Sequence, residues 1–273
     1  MPGTLRNFFL CLVAAVCFSC GSARRISTAK PLAPLTGSEF YRRAAALGWQ
    51  QRDSLAVQAA LQGNIPSFLK RLVPVAVSSR DSVNGRLIRA TYFVMPDYLA
   101  IGTDKDWARV PLTPMAAQRI ADSLGCFLPT RRMVDDIYKA AKVKLEPVPL
   151  YALRDSTPTM YHHHLIIEGQ RKGKKGLIAG IKKDVVISGK VSRDSRPNRV
   201  AIYGWHKPDG RPIQPLYTGH GNWYVDYSHG LRPVWRRLKV EGRWMDYTEV
   251  LRHPVYRRLL CDEEACDFYR YPY

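Results

Sequence analysis

Acidic residues, cysteines and long apolar runs are all scarce in this chain. Its 273 residues include 23 Asp and Glu against 42 Lys and Arg, which gives a formal net charge of +19 at pH 7. Hydrophobic residues nevertheless make up 46% and aromatic residues 11%, so the chain can bury a core and is not intrinsically disordered. No Gly-X-Y period, heptad pattern or internal repeat is visible, which excludes collagen and coiled coils. The length suits one large domain or two small ones.

The longest apolar run is too short to cross a membrane. It covers the eleven residues from Phe8 to Phe18 and follows a start whose only charged side chain is Arg6. A bilayer core needs roughly 20 apolar residues, whereas the apolar part of a signal peptide has about this length. The pattern predicts a signal peptide over residues 1–20, followed by a tether over residues 21–37.

Cys20 is a candidate site of lipidation. The string Ser19-Cys20-Gly21 resembles the processing site of bacterial lipoproteins, in which the cysteine thiol takes the lipid. The alternative is ordinary cleavage near Gly21–Ala23, which would release a soluble protein. Both alternatives predict export to the periplasm or the outer membrane. Lipidation would in addition hold the protein on a membrane surface, because two or more acyl chains anchor stably.

Three of the six cysteines remain once the leader is set aside, namely Cys126, Cys261 and Cys266. These three form no Cys-x-x-Cys pattern, which excludes a structural zinc site built on thiolates in the mature chain. In an oxidising compartment Cys261 and Cys266 can form a disulfide and leave Cys126 free. A helix through both residues would place them about 140° apart and prevent the bond, so the sequence leaves this pairing open.

Helix signals dominate the first part of the mature chain and strand signals the second. Ser38 can cap a helix that ends at Gly48, and residues 98–112 read as a hairpin. After residue 147, short runs rich in β-branched and aromatic residues predict strands, among them His164–Ile167 and Trp223–Tyr227.

We therefore expect an α+β fold rather than a doubly wound sheet, because the strand runs do not alternate with long helices. The prediction is one compact domain over residues 38–273. Its helix-rich part, 38–146, would hold the N-terminal helices and the hairpin. Its β-rich part, 147–273, would be mostly antiparallel.

The densest polar cluster of the sequence lies between Gly219 and Gly230. As a strand, this segment would present alternate side chains on one face. Those side chains are His220, Asn222, Tyr224, Asp226 and Ser228. Gly230 would let the chain turn and bring His229 back toward Asp226. Burying one of these polar groups without a hydrogen-bond partner costs roughly several kcal/mol. Their clustering therefore favours a functional site.

Two catalytic interpretations follow for this cluster. In the first, His220, Asp226 and His229 bind a divalent metal such as zinc, with an open position for a hydrolytic water. In the second, Asp226 orients a histidine that acts as general base. The noncatalytic alternative is a hydrogen-bonded polar network in a β core, or a binding cleft.

Four further residues are candidates for substrate binding. Trp205 could offer a platform to a sugar or peptide, and the adjacent His206 could join the site. Lys183 precedes an apolar strand and could bind an anion, while Tyr224 lies within the polar cluster itself. The alternatives are core packing for Trp205 and a solvated strand entry for Lys183.

Several strings of the chain together resemble a family of exported bacterial proteins with no assigned activity. They lie between residues 50 and 235 and include Gly63–Leu69, Pro96–Asp104, Leu128–Thr130, Lys182–Ile187, Ile202–His206, Ile213–Pro215 and Asp226–Gly230. In that family a histidine often precedes the Lys-Lys-Asp string, where this chain has Ile181. The leader also resembles those of Bacteroidota lipoproteins. The resemblance implies an exported protein and supplies no mechanism.

The positive charge resides almost entirely in the mature chain, since residues 1–20 contain only Arg6 and its removal lowers +19 to +18. An exported basic protein meets membrane surfaces and anionic glycans, whereas the leader and the lack of any recognition motif argue against nucleic acid. We therefore expect a cell-envelope hydrolase of a glycan or peptide such as peptidoglycan. The alternative is a noncatalytic envelope lipoprotein that binds an anionic glycan or a partner protein.

Overall fold

The computed structural model describes residues 24–273, in which helices pack around two larger β-sheets and two further sheets of two strands each. The helices are α1 (Gly37–Ala44), α2 (Trp49–Leu61), α3 (Pro114–Ser123), α4 (Arg131–Ala140), α5 (Thr157–Arg171), α6 (Gly189–Ser192), α7 (Tyr247–Arg252) and a 3-10 helix (Tyr256–Leu259). The first seven strands are β1 (Val73–Arg80), β2 (Leu87–Val94), β3 (Ala100–Gly102), β4 (Trp107–Arg109), β5 (Cys126–Phe127), β6 (Val143–Lys144) and β7 (Ile178–Ala179). The remaining strands are β8 (Lys183–Val186), β9 (Ala201–His206), β10 (Pro212–Tyr217), β11 (His229–Gly230), β12 (Val234–Trp235), β13 (Arg237–Val240) and β14 (Arg243–Asp246).

The larger sheet is built around β2. It has the order β14-β13-β2-β12-β5, and β1 pairs with β2 along its whole length. Alternate residues of β2 are buried, so one face of the sheet covers the core and the other faces solvent. β12 and β13 come from the last quarter of the chain and pair with β2 and β5 from the first half.

The smaller sheet positions the candidate site and has the order β10-β9-β8-β11. β8 is antiparallel to β9 and parallel to β11. At one end of β8, Lys183 therefore lies between Gly204 of β9 and His229 of β11. All four residues of β8 are buried, because a central strand is covered on both faces.

The α+β class is confirmed, but the two halves of the chain do not form separate helical and β-rich parts. The N-terminal helices and the β3–β4 hairpin are present as expected. The first half also supplies β1 and β2, the two longest strands, and the second half supplies the fifteen-residue helix α5. The two parts are not separate because β12 and β13, from the far end of the chain, complete the sheet beside β2 and satisfy its backbone hydrogen bonds.

Three segments adopt other conformations than the sequence suggested. His164–Ile167 lies in α5, whose Ser156 cap and following Pro158 outweigh the local β propensity. Residues 219–228 form turns, and only His229 and Gly230 extend into a strand. After the short 3-10 helix the backbone leaves helical geometry, and Cys261 and Cys266 form a disulfide.

The described part of the expected tether, residues 24–37, packs on the folded body. Ile26 is buried and its N–H donates to the carbonyl of Lys70 at 2.9 Å. The guanidinium of Arg24 lies 4.3 Å from the ring centres of both Trp235 and Trp244. A free linker therefore cannot extend to residue 37, because apolar burial and cation–π contacts hold the chain from Arg24 onward. The signal peptide and Cys20 lie outside the described residues.

Candidate functional site

The polar cluster forms where the turns of residues 219–228 lead into β11. Asp226 is fully buried, and its Oδ1 accepts hydrogen bonds from the backbone N–H and the hydroxyl of Ser228 at 2.8 and 2.5 Å. The N–H of His229 donates to the Asp226 carbonyl at 3.1 Å. These bonds make an aspartate-stabilised turn, which explains why the segment leaves the alternating geometry of a strand. The turn brings Asp226 and His229 together, as the sequence suggested, by a different backbone route.

The Asp226 carboxylate is held ionised by its surroundings. Its Oδ2 accepts from Arg154 Nη2 at 2.8 Å and from the Tyr224 hydroxyl at 3.3 Å. Burial alone would raise its pKa, but the neighbouring His229, the hydrogen bonds from Ser228 and the charge of Lys183 hold that pKa well below its usual range.

His229 is buried as a neutral imidazole beside this anion. Burial, opposed by the charge of Asp226 and aided by that of Lys183, lowers its pKa to about 3. Its Nε2 has no hydrogen-bond partner among residues 24–273. An unpaired buried polar atom costs free energy, so a side chain kept in this state is a candidate for binding or proton transfer.

His220 and Tyr224 connect the buried pair to the surface. The rings of His220 and His229 lie 6.1 Å apart, and that of Tyr224 lies 4.5 Å from His220 and 6.0 Å from His229. His220 is half-buried, and desolvation lowers its pKa. Burial raises the pKa of Tyr224 to about 12, so its phenol stays protonated and able to donate a hydrogen bond.

Lys183 and Trp205 lie behind the cluster rather than on an open platform. Lys183 Nζ is 5.2 Å from the centre of the Trp205 ring, and both side chains are buried. Burial lowers the pKa of Lys183, while Asp226 opposes this shift. With 6% of its surface exposed, Trp205 cannot stack on a sugar in this structure. The expectation of a binding platform at Trp205 is therefore wrong, because its ring packs into the core beside Tyr227.

His206 belongs to a different cleft. Its Nε2 lies 2.8 Å from Asp135 Oδ1 of α4, and its ring stacks on Tyr138 at 4.5 Å. This cleft has a volume of about 450 Å³ and contains none of the cluster residues His220, Asp226 and His229. His206 follows Trp205 on β9, and consecutive side chains of a strand point to opposite faces. The structure thus does not bring His206 into the cluster.

The metal interpretation receives no support from the geometry. Within residues 24–273, no three His, Cys, Asp or Glu side chains are grouped in a way that could hold a metal ion. Both Asp226 oxygens already accept hydrogen bonds, from Ser228 on one side and from Arg154 and Tyr224 on the other. Asp226 also makes no hydrogen bond to a histidine ring, so the expected orientation of a histidine by Asp226 is electrostatic only.

A network of buried charges behind the cluster was missed at the sequence level. Lys182 is buried, and its Nζ donates to the Tyr227 carbonyl and lies 3.3 Å from His163 Nδ1. Burial lowers the pKa of Lys182 to about 7, and Arg109 adds to this shift. Arg109 pairs bidentately with Asp97 at 2.9 and 2.6 Å. The members come from distant segments, so no local pattern could reveal them.

Cys126, which the sequence leaves free if Cys261 and Cys266 pair, is a buried thiol. Burial raises the pKa of its thiol far above the usual range, which makes it a poor nucleophile. Among the described residues it is the one cysteine outside the disulfide. A cysteine-based mechanism therefore has no support.

No helix within residues 24–273 has both the length and the apolar character needed to cross a bilayer. In comparisons with known proteins, no protein family, curated protein or solved structure matches this chain.

Proposed function

We propose that this chain is an exported envelope protein, lipid-anchored at Cys20, that hydrolyses a glycan or peptide such as peptidoglycan. The observation that carries the proposal is the neutral, buried His229, whose Nε2 has no partner and which lies within ring contact of His220 and Tyr224. A polar atom kept unpaired at this cost is typical of groups that handle a proton.

The chemistry assigns a role to each ring. A water molecule attacks the scissile carbon while His229 accepts its proton at Nε2, and the bond to the leaving group breaks. Tyr224, whose phenol stays protonated at neutral pH, donates a proton to the departing atom, and His220 lies beside it as a neutral ring. A base with a pKa of about 3 is weak, so the charge of Asp226 is needed to stabilise the imidazolium that forms. No metal is required in this scheme.

The test is the release of soluble fragments from purified peptidoglycan. We expect His229→Ala to lower the rate at least a hundredfold, the size typical of losing a general base. His162→Ala is the matched control, because His162 is exposed on α5 and lies outside the cluster. Equal release by wild type and His229→Ala would contradict the role proposed for His229.

Binding without catalysis is the second candidate function. It is favoured by the bonds of Asp226, which go to Ser228, Arg154 and Tyr224 and leave no oxygen bonded to a histidine. With a mature charge of +18, the protein would then bind an anionic glycan or partner protein at the same place. Cosedimentation with peptidoglycan, without fragment release by any variant, is the result that would select this alternative.

The anchor has its own test. A Cys20→Ala variant of the full chain should move from the detergent phase to the aqueous phase. Retention of this variant in the detergent phase would contradict lipidation at Cys20. The distribution of the variant between phases does not depend on whether the site is catalytic.

A further inference from the structure

A second polar feature adjoins the cluster on the side of Tyr224. Tyr224 and Trp223 form one wall of a cleft of about 520 Å³, and Trp49 of α2 contributes to another. Trp223 is 56% exposed, so this wall is open to solvent. Because Tyr224 lines the cleft and its ring lies 4.5 Å from that of His220, the cleft borders the candidate site.

Arg52 lines this cleft and is an unusual residue to bury. Only 3% of its surface is exposed, yet its Nε and Nη2 make no hydrogen bond within residues 24–273. Its nearest counter-charge, Asp53 Oδ1, is 3.6 Å from Nη2, which is an ion pair longer than a hydrogen bond. The other oxygen of Asp53 is already bonded to the N–H and hydroxyl of Thr113, at 3.1 and 2.6 Å.

The positive charge and the N–H donors of the Arg52 guanidinium are therefore only partly balanced by acceptors and negative charge. Arginine offers five N–H donors, and leaving charged donors buried without acceptors costs several kcal/mol in general. A carboxylate in the cleft would supply two acceptor oxygens in the geometry that a guanidinium prefers.

The N-terminus of α5 also attracts a negatively charged group in the cleft. Thr157, the first residue of this fifteen-residue helix, lines the cleft, so the positive end of the helix dipole points at it. One acidic side chain, the exposed Asp155, stands at the rim and opposes an anion. The aromatic rings of Trp49 and Trp223 provide apolar contact for the body of the ligand.

We propose that this cleft is a carboxylate-binding subsite, in which Arg52 and the start of α5 hold an acidic group of the molecule that reaches His220 and Tyr224. The two sources of such a group in an envelope are a sugar acid and the C-terminal carboxylate of a peptide. The inference rests on the proposed function only in taking the bound molecule to be an envelope glycan or peptide.

The test is the affinity for paired acidic and neutral probes, measured by isothermal titration calorimetry on the chain from residue 21 onward. The probes are N-acetylmuramic acid against its methyl ester, and N-acetyl-alanyl-alanine against its amide. We expect one acid to bind at least tenfold more tightly than its neutral partner, and the pair that shows this identifies the source. Equal binding of acid and neutral forms in both pairs would overturn the proposal.

Variants assign the preference to the cleft. Arg52→Gln should abolish the preference for the acid, and Arg52→Lys should reduce it, because an ammonium keeps the charge and loses the bidentate fork. Arg42→Gln on α1 is the matched control, since Arg42 is exposed and pairs with Glu39. Persistence of the full preference in Arg52→Gln would overturn the proposal.

Asp155→Asn keeps the test decisive if the Arg52 variants fail to fold. Asp155 is exposed, so its replacement should leave the fold intact and tighten binding of the acid about twofold to threefold, with no effect on the neutral probe. An unchanged affinity for the acid would count against the subsite. His229→Ala should keep the preference for the acid, so a failure of hydrolysis and a failure of this inference give different results.

Discussion

At the scale of single residues, the main feature is the number of histidines held neutral by burial. His163, His164 and His229 are each almost fully buried, and desolvation lowers their pKa values to about 2, 3 and 3. In the unfolded chain each would titrate near its ordinary value of about 6.5. These residues therefore couple stability to pH.

We predict that the free energy of unfolding decreases as the pH falls from 6.5 toward 3. In this window the unfolded chain binds protons on His163, His164 and His229, and the folded protein does not, so acid favours unfolding. Each histidine contributes about 1.4 kcal/mol per pH unit. Asp184, whose pKa burial raises to about 6, opposes the trend below pH 6 and offsets one of the three.

Urea denaturation between pH 7 and pH 4 measures this dependence. The slope of the unfolding free energy against pH reports how many protons are bound on unfolding. His164→Gln should lower this number by about one, and His162→Gln, an exposed control, should leave it unchanged. A free energy of unfolding that stays constant from pH 7 to pH 4 would contradict the burial of neutral imidazoles.

The sequence predicted which residues of the cluster lie together, but not what surrounds them in space. The sequence grouped His220, Asp226 and His229 correctly because they are near in sequence. It misplaced Trp205 and His206, since the two faces of β9 lead to the core and to a separate cleft. It also gave no sign of Arg52, whose importance depends on what surrounds it in space.

At the scale of elements, local capping signals placed the first helix only approximately. Ser38 was expected to cap a helix ending at Gly48, whereas Thr36 caps α1, which covers Gly37–Ala44. Thr113 and Thr130 cap α3 and α4. The alternation of residues 220–228 failed as a strand signal, because the bonds between Asp226 and Ser228 fold that segment into a turn. The long strands β1 and β2 pair with each other locally, but their remaining partners could not be read from the neighbouring sequence.

The cap of α4 allows a prediction about an element. Thr130 Oγ1 accepts from the N–H of Met133 at 3.3 Å and donates to the carbonyl of Leu260. Thr130→Val should lower the free energy of unfolding by about 1–2 kcal/mol, because a cap and a buried hydrogen bond are both lost. Thr248→Val, which removes a partly buried hydroxyl from α7 and leaves the cap residue Asp246 in place, should cost less. Thermal denaturation followed by circular dichroism ranks the two, and the reverse order would contradict this account.

At the scale of the whole molecule, the buried Arg109 joins separate parts of the fold. It lies on β4, pairs bidentately with Asp97, and forms an ion pair with Glu168 of α5 at 2.8 Å. The charged groups are largely shielded from water, so their attraction depends on all partners being present.

We predict that Asp97→Asn destabilises the protein by about 3 kcal/mol, since it leaves a buried guanidinium incompletely paired. Glu39→Gln, which breaks exposed pairs with Arg42 and Arg43, should destabilise the protein much less, because water screens these pairs. Chemical denaturation of both variants at pH 7 gives the comparison. Similar losses of unfolding free energy in the two variants would show that the buried Arg109 pair stabilises the protein no more than an exposed pair.

The packing of Arg24 between Trp235 and Trp244 limits the distance between the folded body and Cys20. Only three residues lie between Cys20 and Arg24, so the four steps of backbone that join them span at most about 14 Å. A lipid on Cys20 would therefore keep the solvent face of the larger sheet close to the bilayer, with little freedom to turn away. Brominated lipids should quench the fluorescence of Trp235 and Trp244 in the lipidated protein, and Arg24→Ala should weaken this quenching. The proposed enzyme would then act only on material in a thin layer of the envelope next to the membrane that anchors it.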